Sequence, residues 1–266
     1  MMRLLARAEV SMANSPSLVL HMFPSSHFNE KARWALDWKG LTHTRIPYLP
    51  GPHAPQMQRL SGQQQTPVLV MGGRAISGSA AIIDALEREF PQRALYPADP
   101  ALRERALEVQ RQFDAEVGPA VRSVVFSVLM HELGYLCAIF TKGQPGWKRG
   151  AYRALAPLVR PVMAKANGVT PENVPRAFER TERALDDAAR LVGASGQIAG
   201  DAFSVADLTV AALLAPIVRL EHPDMAQPQP IPARAAELHA RFEKHAAVQW
   251  VQQQYAKHRP ASCAVA

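Results

Sequence analysis

The chain has 266 residues, 48% of them hydrophobic and 20% charged, enough apolar material for a buried core and too little charge for a disordered polymer. Thirty Lys and Arg against 23 Asp and Glu leave a formal charge of +7, a bias toward anionic partners that does not name them. Two cysteines, Cys137 and Cys263, and nine histidines without HExxH or Cys-His spacing exclude a disulfide framework, a CxxC redox centre and a zinc site; no metal is expected, and a reducing cytoplasm is the natural compartment.

Residues 1–15 read as a loose leader, because Leu4 and Leu5 fall far short of the roughly 7 to 15 apolar residues of a signal-peptide core. No uncharged apolar run approaches the roughly 20 residues of a membrane-spanning helix. From Leu18 the pattern predicts a strand to Phe23, a polar turn Pro24–His27 and a helix over Asn29–Lys39 stopped by Gly40. Thr42–Tyr48 reads as an edge strand, since Pro47 lacks a ladder donor, and the Pro-, Gly- and Gln-rich stretch to Thr66 reads as loop. Pro67–Met71, the turn Gly72-Gly73 and Arg74–Ile76 predict a hairpin, followed by a helix over Ser79–Phe90 with Ile82, Ile83 and Leu86 at helical spacing. The unit is βαβ followed by ββα, over 16–91.

Three prolines between Pro91 and Pro100 mark a linker, placed at 92–100. Beyond it the periodicity is helical, which predicts an all-α domain over 101–258 and a tail over 259–266. Val117–Thr141 reads as helical core, and Thr170-Pro171-Glu172 as a helix start. The stretch Gly143–Asn173, with Trp147, Lys148, Arg149, Arg153, Arg160 and Lys165, is amphipathic and basic and fits a lid, a membrane-surface contact or a solvated face. Ser204 and Asp207 form a capping box at the head of an almost uncharged helix through Leu214, the expected spine of this domain, with Phe203 as its staple against Leu208.

Ser26-His27-Phe28-Asn29-Glu30-Lys31-Ala32-Arg33 after the first strand, Thr66-Pro67-Val68-Leu69 before the third, and the Ser204–Asp207 box stand in an order and spacing that resemble the cytosolic glutathione S-transferase superfamily, in its bacterial serine-containing form. The resemblance implies a thioredoxin-like domain followed by a helical domain, and glutathione as co-substrate. It also implies a role for Ser26: its hydroxyl and the following helix N-terminus hold the glutathione sulfur as a thiolate, with Ser25 the adjacent alternative. An ordinary thiol has a pKa near ~8.5, and lowering it by about two units takes roughly 2.7 kcal/mol of preferential anion stabilisation. Cysteines stand at neither Ser26 nor Asn29, so dithiol chemistry is excluded; His27 is expected to face solvent. Further glutathione-binding positions implied are Phe28, Gln65, Thr66, Pro67, Gly78 and Ser79. Pro67 is expected to be cis so that Thr66 presents its backbone to the cysteinyl unit, and Ser79 to receive the γ-glutamyl carboxylate at a helix N-terminus.

Two positions depart from the family pattern. Gly78 stands where an acid usually engages the γ-glutamyl amine, and Gln65 where Lys or His is common, leaving Arg45 or His53 to supply charge. The electrophile pocket is assigned to the helical domain, at Val117, Val121, Phe126 and Met130. The implied activity is conjugation of glutathione to a small hydrophobic electrophile, as in detoxification, or reduction of an organic hydroperoxide, by a homodimer. The competing reading is a non-catalytic binding protein on the same fold, motivated by Gly78. The basic residues look dispersed along the sequence, without zinc-finger spacing or an RNP motif, so no nucleic-acid partner is expected.

Overall fold

The structure, a computed structural model, describes residues 16–265; the expected leader over 1–15 lies outside them. The first domain runs β1 (Leu18–Met22), α1 (His27–Trp38), β2 (His43–Pro47), α2 (Ala54–Ser61), β3 (Val68–Met71), β4 (Arg74–Ser77) and α3 (Ser79–Glu89). β1 is central: it pairs parallel with β2 and antiparallel with β3, with His21 opposite Val68, and β3 pairs antiparallel with β4. Gly72 and Gly73 both take positive φ, +55° and +84°, which a tight hairpin turn demands and glycine supplies without a Cβ penalty. The stretch expected to be loop up to Thr66 contains α2, closed by Gly62 in the left-handed region. Its prolines conceal it in the sequence, yet Pro55 sits in the first turn, where a missing N–H costs nothing.

The second domain is helical: α4 (Pro100–Gln112), α5 (Gly118–Leu129), α6 (Leu133–Phe140), α7 (Gly146–Ala166), α8 (Asn173–Leu191), α9 (Val205–Leu214), α10 (Ala233–Phe242) and α11 (Ala246–His258), with a π-helical turn over Phe113–Val117. The capping box forms as expected. Ser204 N–H donates to the Asp207 carboxylate at 2.9 Å, and the other Asp207 oxygen accepts from Ile198 N–H at 2.8 Å. Every residue of α9 is buried, and it packs on α1 as well as on α4 and α11, so one core runs through both domains. Phe203 stacks among Trp34, Trp38 and His258, tying the α9 cap to α1.

Two segments differ from their expected character. The linker is anchored: Leu95 is fully buried, Glu87 accepts from the N–H groups of Leu95 and Tyr96 at 3.0 Å each, and Leu95 C=O accepts from Val205 N–H at 2.8 Å. The tail is integral as well. Residues beyond α11 return to the first domain, where β5 (Ala264–Val265) pairs parallel with β2 as the fifth strand of the sheet. Arg259 anchors this return. Its side chain is fully buried, with Nε to Glu30 at 2.7 Å, Nη1 to Asp37 at 2.9 Å and Nη2 to Asp224 at 2.6 Å. One residue reaching three carboxylates has no local sequence signature, which is why the segment reads as a tail.

Candidate functional site

Where the two domains meet they enclose a cleft of about 1360 Å³. Two helix N-termini open onto it: Ser25, Ser26, His27 and Phe28 at the head of α1, and Gly78, Ser79, Ala80 and Ala81 at the head of α3. Each end presents backbone N–H groups without intrahelical acceptors and the positive end of a helix dipole, an arrangement that favours negative charge at two separated points of the cleft. Gln65, Thr66 and Pro67 line it between those ends, and the Thr66–Pro67 bond is cis. All the residues assigned from the resemblance to thiol activation and glutathione binding therefore face one space. Gly78 adopts φ +88° and ψ 140°, a region open mainly to glycine, so a side chain at this position would strain the backbone.

Ser26 is the N-cap of α1, but its Oγ lies 3.5 Å from Asn29 N, at the outer limit of a hydrogen bond. The hydroxyl is thus only weakly committed to capping. Asn29, fully buried, knits the two walls of the site together: its Oδ1 accepts from Phe23 N–H at 3.3 Å and its Nδ2 donates to Thr66 Oγ1 at 3.2 Å. Beneath the turn, Arg33 donates to the Pro24 carbonyl and pairs with Glu30 at 2.8 Å. Glu30 N–H in turn donates to Ser26 C=O at 2.8 Å. The turn that carries Ser26 therefore rests on the same buried ion network that Arg259 completes.

His27 does not face solvent. It is 5% exposed, and its Nε2 lies 3.0 Å from Gly118 O at the start of α5. Gly118 has no side chain for a reason seen here: a Cβ would lie 2.5 Å from Cζ of Phe28. Burial pushes the His27 imidazole down to about 4 against the Gly118 hydrogen bond, with Arg122 and Lys31 adding to the effect. The unfolded chain takes up this proton near pH 6.5 and the folded one only near 4, so stability is complete above 6.5 and is lost as pH falls toward 4. We expect His27 to cost on the order of 3 kcal/mol over that window. Thermal melts of wild type and His27→Asn between pH 7 and 4 check this: the variant's curve is expected to be the flatter, and parallel curves would refute the assignment.

On the opposite wall, Phe126 alone of the four residues assigned to the electrophile pocket lines the cleft. Val117, Val121 and Met130 are buried in the helical core, at 4%, 0% and 2% exposure; their helical spacing marks an inner face, not a pocket wall. The apolar lining comes instead from Val125, Leu129, Tyr135, Phe140 and Tyr152, with Met225 from the loop before α10. Arg45 is also unsuited to the role considered for it, since it pairs with Asp37 at 2.7 Å and Asp224 at 2.8 Å, whereas His53 does line the cleft. Sequence reasoning missed Arg122. Among the described residues it forms no ion pair, its Nε is buried without a hydrogen-bond partner, and it lines the cleft. Its signal was present as one cation in an otherwise uncharged run from Val117 to Met130.

A thioredoxin-like sheet domain is joined to a helical domain, and two helix N-termini open onto the cleft between them. Residues 20–94 match the family described as glutathione S-transferase, N-terminal domain. A glutathione S-transferase zeta class protein of Euphorbia esula is 32% identical over 106 residues, 39% of this chain and 46% of that protein. The match thus spans about half of that relative's length. Among solved structures, a glutathione S-transferase of Xanthobacter autotrophicus aligns with a TM-score of 0.59 at 17% identity, covering 93% of this chain and 97% of that one. One from Methylobacterium radiotolerans, in complex with glutathione sulfonate, aligns with a TM-score of 0.52 at 18% identity, covering 92% of this chain and 96% of that one. The first domain is thus similar to the N-terminal domain of glutathione S-transferases, and the chain as a whole shares the fold of those solved structures.

Proposed function

We propose that this protein is a glutathione transferase that conjugates glutathione to a small hydrophobic electrophile, with organic hydroperoxide reduction as a second use of the same thiolate. The observation that carries the reading is the opening of two helix N-termini, with Ser26 at one and Ser79 at the other, onto a single cleft. Glutathione suits that pair: its sulfur takes the α1 end and its γ-glutamyl carboxylate the α3 end. The Ser26 O–H donates to the sulfur, the α1 dipole favours its charge, and Arg122 adds positive potential from the far wall. The thiolate then attacks the electrophilic carbon, and the leaving group or the developing carbanion takes the electron pair. The apolar wall from Phe126 to Tyr152 excludes water and holds the electrophile's body.

With Gly78 offering no carboxylate to the γ-glutamyl amine, binding rests on the α3 N-terminus, the Thr66 backbone, Gln65 and His53. A reducing cytoplasm, in which Cys137 and Cys263 remain thiols, and a homodimer that sets the first domain of one subunit against the second of the other complete the proposal. Titration calorimetry with glutathione tests it. We expect saturable binding in the micromolar-to-millimolar range, weakened by Ser79→Ala. No heat at millimolar glutathione would overturn the transferase reading in favour of a binding protein on this fold, the alternative that Gly78 motivates.

A further inference from the structure

We propose that α7 is a membrane-surface element that seats the mouth of the cleft on an anionic lipid bilayer. From Leu133 to Pro171 the chain contains no Asp or Glu and six cations, Lys142, Lys148, Arg149, Arg153, Arg160 and Lys165. That one stretch carries +6 of the formal +7, and five of its six cations lie on α7, so charges that look dispersed along the sequence concentrate their excess in one region. The same helix holds five of the seven large hydrophobic side chains exposed among the described residues: Trp147, Leu155, Leu158, Val159 and Val162. Trp147, Leu158 and Val162 are 72%, 77% and 73% exposed, while Ala156 alone in the helix is buried.

The arrangement is ordered. At about 100° per residue, Trp147, Leu155, Leu158 and Val162 fall within an arc of roughly 80°, and Arg149, Arg153 and Arg160 gather on the opposite side. An exposed apolar stripe backed by cations, with no acid, is the pattern of a helix that lies in the plane of a lipid interface. Trp147 carries Lys148 over its ring at 5.6 Å, a pair of side chains suited to the headgroup layer. The stripe also runs into the cleft: Leu155 and Val162 belong to both, and Val159 at the stripe's flank lines the cleft as well. α7 spans the mouth, with Tyr152 O–H donating to Pro50 C=O at 3.2 Å.

Charge decides between the possible occupants. A second copy docked through α7 would bring two elements of five cations each together, whereas an anionic bilayer neutralises them and accepts the apolar stripe. An electrophile dissolved in that bilayer would reach the cleft without crossing water.

The test uses the full chain with vesicles of phosphatidylcholine alone, or with about one third phosphatidylserine, read by co-sedimentation and tryptophan emission. We expect at least about tenfold more protein in the pellet with anionic vesicles, a blue-shifted Trp147 emission, and partial release by salt. Trp147→Glu combined with Leu158→Glu, neither residue lining the cleft, is expected to abolish sedimentation while leaving the circular dichroism spectrum and melting temperature intact. If that variant does not fold, Lys148→Glu with Lys165→Glu gives the same reading through charge. Equal partition to neutral and anionic vesicles, or none to either, would overturn the proposal. So would light scattering in which the wild type is a larger oligomer than the double-glutamate variant, which assigns the stripe to a second copy. None of these outcomes depends on glutathione binding.

Discussion

Ser26→Ala is expected to lower conjugation of a generic aryl halide at neutral pH by about 10- to 100-fold and to move the alkaline rise of kcat/KM up by about one to two pH units. The size follows from one hydrogen bond to a charged acceptor, worth about 1.5–3 kcal/mol. At pH below the thiol pKa, that loss converts directly into a smaller thiolate fraction, tenfold for each 1.36 kcal/mol. The measurement is the pH profile of kcat/KM, with thiolate absorbance of the enzyme–glutathione complex as the direct readout. A structural explanation can be separated from the chemical one. Because Ser26 Oγ stands 3.5 Å from Asn29 N, its cap contributes no more than the lower end of the capping range, about 0.5 kcal/mol, so the melting temperature should hardly move. Ser26→Thr keeps a hydroxyl and should retain most of the activity. If Ser26→Ala leaves the profile unchanged while Ser25→Ala shifts it, the neighbouring hydroxyl carries the role. If neither shifts it, thiolate stabilisation rests on the α1 N-terminus and Arg122 alone.

The fold is legible in the sequence wherever one segment decides its own structure. β1, the Gly72-Gly73 hairpin and the Ser204–Asp207 box each carry a complete local instruction, a run, a turn or a cap, and each forms as expected. Local rules fail where a residue's partner lies far along the chain. Arg259 reads as the start of a tail because Glu30 and Asp37 stand more than 200 positions away. Leu95 reads as linker because its hydrogen-bond partner is Val205 N–H. The same limit governs the site. Ser26, Thr66 and Ser79, assigned through the family resemblance, sit at element boundaries, where motifs are defined, and line one cleft. Val121 and Met130 are misplaced because helical spacing identifies an inward face without saying whether a cleft or a core lies inside it. Conversely, His27 looks like a polar loop residue, and only the glycine 91 positions on, which leaves room for the Phe28 ring, makes a buried place beside it.

The long-range contact with most at stake is Arg259, and Arg259→Ala is expected to destabilise the protein by about 3–5 kcal/mol. Three carboxylates, from Glu30, Asp37 and Asp224, share three guanidinium groups, from Arg33, Arg45 and Arg259. The charges balance only when all six are present. Removing Arg259 leaves an uncompensated negative charge at Glu30 and Asp37, whose side chains are fully buried, and that cost exceeds what any surface pair contributes. The pH dependence gives a second signature. Burial opposes ionisation of Glu30, yet Arg259 and then Arg33 outweigh it and hold the carboxyl below its ordinary value; Asp224 is likewise depressed against burial, by Arg33, Arg45 and Arg259. A depressed carboxyl pKa stabilises the fold above the unfolded value and loses that contribution as pH falls through the folded one. Wild type should therefore hold this contribution down to about pH 4.5, while in Arg259→Ala the Glu30 carboxyl rises toward or above its unfolded value, so the variant loses less on acidification and the gap between the two stability curves narrows as pH falls. Urea unfolding of both proteins across pH 3–7 measures it; superimposable curves differing by less than about 1 kcal/mol would sink the argument. Because Glu30 and Arg33 also hold the turn that carries Ser26, the variant should lose kcat more than glutathione affinity at temperatures where it remains folded, linking the last strand of the sheet to the position of the reacting sulfur.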